Sequence, residues 1–93
     1  MIRSCRDERT EQVFHGACPK GFPKTLFRVA RRKLGMVHAA HELKDLKSPP
    51  GNKLHPLGDD REGQHAIWIN DQYRVCFVWR DGDAYEVEVT DYH

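Results

Sequence analysis

Residues 73–90 read YRVCFVWRDGDAYEVEVT, and this stretch decides the fold. Tyr73 to Trp79 is the strongest strand signal in the chain. Asp81-Gly82 is the residue pair that most strongly predicts a two-residue hairpin turn. Tyr85 to Thr90 is then the returning strand. The stretch therefore predicts an antiparallel β-hairpin near the end of the sequence.

Three further segments are predicted to be strands: Ile2 to Cys5, Lys53 to Leu57 and Gln64 to Ile69. Pro56 lacks a backbone N–H, so the second of these lies at an edge of the sheet or at a strand end. Asn70-Asp71 is a turn signal that leads into the hairpin.

Two helices are predicted in the N-terminal half. Asp7 is the N-cap of a short helix that carries residues 11–15 and stops at Gly16. The second helix follows an apolar repeat at helical spacing from about Pro23 to about Lys44. Gly35 weakens the middle of this helix and allows a bend there.

Length and order predict one domain, residues 1–93, with an α+β fold. Two N-terminal helices are expected to pack on a mostly antiparallel sheet of about four to five strands. Hydrophobic content of 39% and charged content of 31% fit a globular protein and argue against disorder. The sequence shows neither a membrane helix nor a signal peptide, so we expect a cytoplasmic protein with no membrane partner.

The charges are segregated although the net charge is only +1. All charged residues between positions 20 and 33 are basic, and all those between 81 and 91 are acidic. The basic half allows a nucleic-acid partner, but charge alone favours a solvated helix face. Cys5, Cys18 and Cys76 form no CxxC pair, so no metal site is expected.

The hairpin also predicts which residues face each other. Counting from the Asp81-Gly82 turn pairs Arg80 with Asp83 and, further along, Arg74 with Val89. The same face is apolar toward the turn, and we expect that part of it to pack against the helices.

At the other end of the hairpin, this count places Asp91 opposite Gln72. Because side chains alternate along a strand, Arg74, Asp91 and His93 are expected at one end of one sheet face. Tyr92 points the other way unless a bulge re-aims it.

Such a group suits the cleavage of RNA. Arginine offers phosphate a planar fork of donors and keeps its charge at neutral pH. Histidine gives or takes a proton in the same pH range, and aspartate takes a proton or orients a histidine. RNA supplies its own nucleophile, the 2′-hydroxyl, so neither a metal nor another cofactor is required.

At these residues the chain resembles the HigB toxins, which belong to the RelE/ParE superfamily of type II toxin–antitoxin systems. The resemblance covers the whole chain and rests on a linked series of motifs in residues 49–93. They are Lys53-Leu54-His55-Pro56-Leu57, Asp60-Arg61-Glu62-Gly63, Tyr73-Arg74-Val75-Cys76-Phe77, Gly82-Asp83-Ala84-Tyr85 and Asp91-Tyr92-His93.

The resemblance implies a ribosome-dependent mRNA endonuclease. Such a toxin enters the A site of the 30S subunit and cuts the codon there, without metal, by attack of the 2′-hydroxyl on the adjacent phosphate. A HigA-type antitoxin with a helix-turn-helix neutralises it. The toxin is expected to contact operator DNA only through its complex with the antitoxin.

The resemblance also implies a set of site residues. Arg74 is expected to stabilise the phosphate charge of the transition state. Asp91 or His55 is the base, and His93 is the acid or a phosphate contact. Tyr92 stacks on a base or hydrogen-bonds the phosphate.

Substrate or ribosome binding is assigned to Lys53, Arg28, Arg31 and Arg32. The chain departs from some relatives at Gly58, where they have a lysine. One cationic group is therefore missing there, and Lys53 replaces it in part.

Two alternatives stay open. One is a gyrase-directed toxin of the ParE kind, although the terminal histidine counts against it. The other is a degenerate member that binds its antitoxin without being toxic, which the glycine at position 58 allows. The tryptophans, Trp68 and Trp79, are expected to pack on the sheet rather than to stack on bases.

Overall fold

The computed structural model describes residues 1–91 as two helices and a four-stranded antiparallel sheet. The predicted α+β fold is confirmed. The sheet has its strands in sequence order, and each strand is antiparallel to its neighbour. The elements are α1 (Glu8–Phe14), α2 (Lys24–Ala39), β1 (His55–Pro56), β2 (Gln64–Trp68), β3 (Tyr73–Arg80) and β4 (Asp83–Asp91).

The N-terminal segment covers the outer edge of β4 rather than forming a full strand. It makes two isolated parallel bridges, Ile2 to Ala84 and Cys5 to Val87. The N–H of Arg3 donates to the carbonyl of Ala84 at 2.8 Å. This pairing satisfies edge groups of β4 that would otherwise be open to another strand.

The short first helix begins where the sequence predicts. The carboxylate of Asp7 accepts a hydrogen bond from the N–H of Thr10 at 2.8 Å, which is an N-cap contact. Gly16 follows the helix with φ of 91°, a conformation that favours glycine. Both predicted signals, the cap and the stop, are confirmed.

The second helix is continuous through Gly35 and shorter than predicted. It ends at Ala39, because Ala40 is extended, with φ of −67° and ψ of 134°. A new 3₁₀ turn, Leu43–Lys47, begins directly afterwards. Its start is fixed by the Asp45 carboxylate, which accepts the N–H of Glu42 at 2.9 Å. The apolar repeat therefore spans two elements.

The core lies between α2 and one face of the sheet. Burying each large apolar side chain there contributes roughly 1.5–3 kcal/mol. The helix contributes Leu26, Ala30, Leu34 and Val37, and the sheet contributes Ile67, Val75, Phe77, Val87 and Val89.

The β3–β4 hairpin contains a bulge. Near the turn the prediction holds, because Asp81-Gly82 has positive φ at both residues and Arg80 pairs with Asp83. The register then shifts between Cys76 and Val78, and Glu86 on β4 has φ of 54°. One additional β4 residue is accommodated there, which defines a β-bulge.

The predicted pairing beyond the bulge is wrong. Arg74 lies opposite Thr90 instead of Val89, and Asp91 lies opposite Tyr73, one position along from its predicted partner. The additional residue in β4 shifts every later pair by one position. A shift of one position also exchanges the two faces of a strand.

The predicted placement of side chains on the two faces of the sheet is therefore also wrong. Arg74 and Asp91 lie on opposite faces, not on one. The face of Arg74 also does not pack against the helices, because Val75 and Phe77 face them while Cys76 points away with Arg74.

Candidate active site

The face of the sheet opposite the helices brings together residues from β1, β2 and β3. Trp68 lies directly opposite Arg74, in one row across the sheet. His55 lies opposite Ala66, in the next row on the same face. His55 and Arg74 therefore share a face of the sheet.

Arg74 is held in place by its backbone surroundings. Only 8% of the residue is exposed. Its Nη1 donates to the carbonyls of Asn70 and Tyr73, the latter at 3.0 Å. Its Cζ lies 3.9 Å from the ring centroid of Trp68, within cation–π distance. These contacts fix the guanidinium group before any substrate binds.

Lys53 approaches the same indole ring. Its Nζ lies 3.7 Å from the ring centroid of Trp68. The residue precedes β1 and has φ of 48°, a left-handed conformation that turns the chain sharply. Lys53 and Arg74, together with Trp68, form what we call the cationic group of the sheet.

Buried Asn52 anchors the segment before Lys53. Its Nδ2 donates to the carbonyls of Leu46 at 3.1 Å and Ser48 at 3.3 Å. Its Oδ1 accepts from Nζ of Lys33 on α2 at 2.5 Å. Burial, followed by the charge of a neighbouring arginine, lowers the pKa of Lys33. The anchor connects the site segment to the second helix.

The protonation pattern of His55 follows from its hydrogen bond. Nδ1 lies 2.7 Å from the carbonyl oxygen of Lys53. A carbonyl only accepts, so Nδ1 must carry the proton in the neutral ring. Nε2 then keeps its lone pair and is the atom able to take a proton.

A surface pocket lies beside His55, between β1 and the 3₁₀ turn. Its volume is about 380 Å³. Its charged and titratable lining consists of His55, His65, Lys44 and Lys47. Burial, and then the charge of His55, lower the pKa of His65. Lys44 and Lys47 bring positive charge to this pocket, and Lys44 is paired with Glu42 at 3.6 Å. His65, opposite Phe77, reaches the pocket from the helix-bearing face of the sheet.

Two more residues on this face have structural roles. Arg61 forms an ion pair with Glu88 at 3.1 Å. The thiol of Cys76 is fully buried, and burial raises its pKa to about 11. It is therefore protonated at neutral pH and unreactive, as a small core residue should be.

Asp91 lies at the end of β4, on the helix-bearing side of the sheet. It is exposed, and its Oδ2 accepts a hydrogen bond from Nε2 of Gln72 at 2.8 Å. The backbone register thus separates it from the face of Arg74. The other two predicted terminal site residues, Tyr92 and His93, lie outside the described residues.

The three arginines predicted to bind the ribosome are not part of this face. Arg28, Arg31 and Arg32 are exposed on α2, which covers the other side of the sheet. Arg31 lies against Gly16 at the end of α1. These residues form a separate basic surface.

Sequence reasoning missed the role of Trp68. The sequence predicts that it packs on the sheet rather than stacks on bases, but not that two cations contact its ring. The strand alternation already placed it on the face of Ala66. Its pairing with Arg74 across the sheet was not predictable, because that pairing depends on the length of the loop at Asn70.

Two properties of the described part of the chain bear on its class. Within residues 1–91, no three His, Cys, Asp or Glu side chains are grouped closely enough to hold a metal ion. No helix in this part has both the length and the apolar character required to span a membrane.

Comparison with known proteins identifies the family. A family model described as "RelE-like toxin of type II toxin-antitoxin system HigB" matches residues 3–93. The chain belongs to the HigB family of type II toxins. A toxin of such a system has an antitoxin as its partner. The HigB resemblance drawn from the motifs is thereby confirmed.

Curated relatives agree with the HigB family model. Toxin HigB-1 of Vibrio cholerae serotype O1 is 36% identical over 89 residues, covering 90% of each chain. Endoribonuclease HigB of Proteus vulgaris is 31% identical over 93 residues, covering all of both chains. The similarity therefore extends over the helices as well as the sheet.

Proposed function

We propose that this HigB-family toxin is a ribosome-dependent mRNA endonuclease that cuts the codon in the A site. The Proteus vulgaris relative is an endoribonuclease by name, which supports endoribonuclease chemistry here. The observation that carries the proposal is the cationic group on the same sheet face as His55. This arrangement fits a phosphodiester substrate, because it places positive charge and a candidate proton acceptor on one face of the sheet.

The proposed reaction uses the 2′-hydroxyl of the substrate as nucleophile. Its oxygen attacks the adjacent phosphorus as its proton passes to a base, and His55 Nε2 is one candidate. The bond from phosphorus to the 5′-oxygen breaks, and that oxygen takes a proton from an acid. The products are a 2′,3′-cyclic phosphate and a 5′-hydroxyl.

The remaining roles follow the family resemblance. Arg74 stabilises the negative charge that develops on the phosphate. Asp91 is the second candidate for the base. His93 is the acid or a phosphate contact, and Tyr92 stacks on a base or hydrogen-bonds the phosphate. Lys53 contributes the positive charge that Gly58 lacks.

Recognition of the ribosome and of the antitoxin would use other surfaces. The exposed arginines of α2, Arg28, Arg31 and Arg32, offer positive charge to ribosomal RNA phosphates. The antitoxin is proposed to be of the HigA type, with a helix-turn-helix that binds the operator. Action on ribosomes places the toxin in the cytoplasm.

The test is a map of mRNA 5′ ends after brief induction of the toxin. Wild type should produce frame-dependent cuts within codons. Arg74→Ala and His93→Ala should reduce them by about 100-fold, because each removes a group that acts on the reacting phosphate. Arg80→Ala is the matched control, since Arg80 is also on β3 but stacks on Tyr85 near the turn.

The other outcomes separate the alternatives. Growth arrest without new mRNA ends would contradict RNA cleavage and favour a gyrase-directed toxin. Normal growth without new ends, with the antitoxin still bound, would indicate a degenerate member. Unchanged cleavage in both variants would support the proposed reaction but show that Arg74 and His93 are not required for it.

A further inference from the structure

The indole of Trp68 is the common contact of the two cations on the open sheet face. Lys53 Nζ and Arg74 Cζ lie 3.7 Å and 3.9 Å from its ring centroid. The two charges are therefore no farther apart than the sum of these distances. Two cations that close repel each other unless something else compensates them.

No carboxylate in the described part of the chain provides this compensation. Among residues 1–91, neither Lys53 nor Arg74 forms an ion pair. Arg74 is nearly buried, and its hydrogen-bond acceptors are two neutral backbone carbonyls. On the same face, by contrast, Arg61 is paired with Glu88 at 3.1 Å.

Arg74 carries a positive charge that is largely withdrawn from water without a counter-charge, which is costly, whereas Lys53 is exposed. The indole offsets part of this cost, because the negative face of an aromatic ring attracts a cation. Its attraction also restricts Lys53, whose side chain would otherwise sample many rotamers. The arrangement is therefore prepared for an anion that arrives from outside.

We propose that Trp68 is a positioning residue, which holds Lys53 and Arg74 together as a clamp for one phosphodiester group. This inference rests on the proposed function and deepens it. The planar fork of Arg74 orients the phosphate, and the ammonium of Lys53 adds a point charge. Lys53 thus performs the task of the lysine that Gly58 does not supply.

The same geometry disfavours a role of Trp68 as a stacking surface for a nucleobase. Both cations already lie over the ring, so a base could stack there only by displacing one of them. The two roles predict different variants to be tolerated. A clamp requires a ring that attracts cations, and phenylalanine provides one, whereas leucine fills space without that attraction.

The first experiment measures anion binding without catalysis. Inorganic phosphate is titrated into ¹⁵N-labelled protein, and the amide signals of residues 53–55 and 73–75 are followed by NMR. Trp68→Phe should bind within about threefold of wild type, while Trp68→Leu and Lys53→Ala should each bind about tenfold more weakly. Equal affinities of wild type and Trp68→Leu would overturn the proposal.

A matched control is available at the other end of the hairpin. Arg80 Cζ lies 4.3 Å from the ring centroid of Tyr85, in a separate cation–π pair on the same sheet. Tyr85→Leu removes that ring as Trp68→Leu removes the other. It should leave phosphate binding unchanged. Circular dichroism and thermal melting verify that each variant is folded.

The second experiment measures single-turnover cleavage of mRNA on programmed ribosomes. Trp68→Leu should lower the rate by about tenfold, to the level of Lys53→Ala. The double variant should be no slower than either, because both changes disable one unit. Additive losses would show that Trp68 acts independently of Lys53 and would contradict the clamp.

The two experiments distinguish failure of the clamp from failure of the proposed function. If wild type cuts no mRNA but phosphate binding still depends on Trp68, then the proposed function is wrong and the anion clamp stands. If wild type cuts mRNA and Trp68→Leu cuts and binds phosphate equally well, the clamp is wrong and the proposed function stands.

Discussion

At the scale of single residues, one hydrogen bond defines what His55 is able to do. The carbonyl of Lys53 accepts from Nδ1 at 2.7 Å, so the proton of the neutral ring is on that nitrogen. Nε2 is left with the lone pair that the proposed role of His55 as a base requires. The same contact holds the imidazole against the loop that presents Lys53 to the indole, so it would link the proposed base to the proposed phosphate clamp.

Replacement of His55 by asparagine tests this assignment. The amide N–H of asparagine retains a donor near the position of Nδ1, but the side chain has no titrating nitrogen. We expect the single-turnover cleavage rate to fall by about 100-fold with little change in melting temperature. His55→Gln is the control for side-chain length. A rate within about threefold of wild type in either variant would exclude His55 as the base.

At the scale of elements, the sequence reveals turns better than bulges. Asp81-Gly82 predicts its turn from two adjacent residues, because this turn type requires the positive φ that such a pair adopts. The bulge leaves no such sign, because the residue with positive φ is Glu86 rather than a glycine. The predicted register was therefore correct beside the turn and wrong at Arg74 and Asp91, where the site was inferred.

The loop before β3 shows the same limit. Asn70-Asp71 predicted a turn, and a turn is present. Its Asn70 side chain accepts the N–H groups of Gln72 and Tyr73 at 2.9 Å and 2.7 Å, so the loop extends through Gln72. This length sets Trp68 opposite Arg74. Sequence alone predicts that a turn occurs but not which residues it brings together.

The backbone strain at the bulge is open to measurement. A residue other than glycine with positive φ costs about 1–3 kcal/mol, more when it is β-branched. Glu86 is exposed. Glu86→Gly should therefore be at least 1 kcal/mol or so more stable than Glu86→Val in urea unfolding. Arg80 is an exposed position of β3 without positive φ. There Arg80→Val should be more stable than Arg80→Gly, because valine favours a regular strand. Greater stability of Glu86→Val than of Glu86→Gly would contradict the strain.

At the scale of the whole molecule, the sheet separates two tasks. One face packs against α2 and stabilises the fold, and the other presents the cationic group and His55. The core was predictable because its apolar spacing repeats along the helix. The connection between the two faces was not predictable, because Lys33 belongs to a basic run that was expected to be solvated. In the structure it is buried against Asn52.

The Lys33–Asn52 anchor predicts a loss of stability that a second substitution restores. Asn52→Leu removes hydrogen bonds to the carbonyls of Leu46 and Ser48 and leaves the buried ammonium of Lys33 without its acceptor. We expect a loss of about 3 kcal/mol in the free energy of unfolding. Adding Lys33→Met removes the buried charge and should recover about half of that loss, because an apolar pair of similar volume tolerates burial.

The activity of this double variant shows what else the anchor does. If it also positions the segment that carries Lys53 and His55, cleavage should remain about tenfold below wild type although stability has been recovered. Lys33→Met alone is the control, since Asn52 then keeps both carbonyl contacts. Full recovery of cleavage in the double variant would mean that the anchor stabilises the molecule without shaping the site. Persistent loss in the double variant but not in Lys33→Met would mean that the contacts of Asn52 to Leu46 and Ser48 position the segment of Lys53 and His55. Loss in both variants would extend that positioning role to Lys33 on α2.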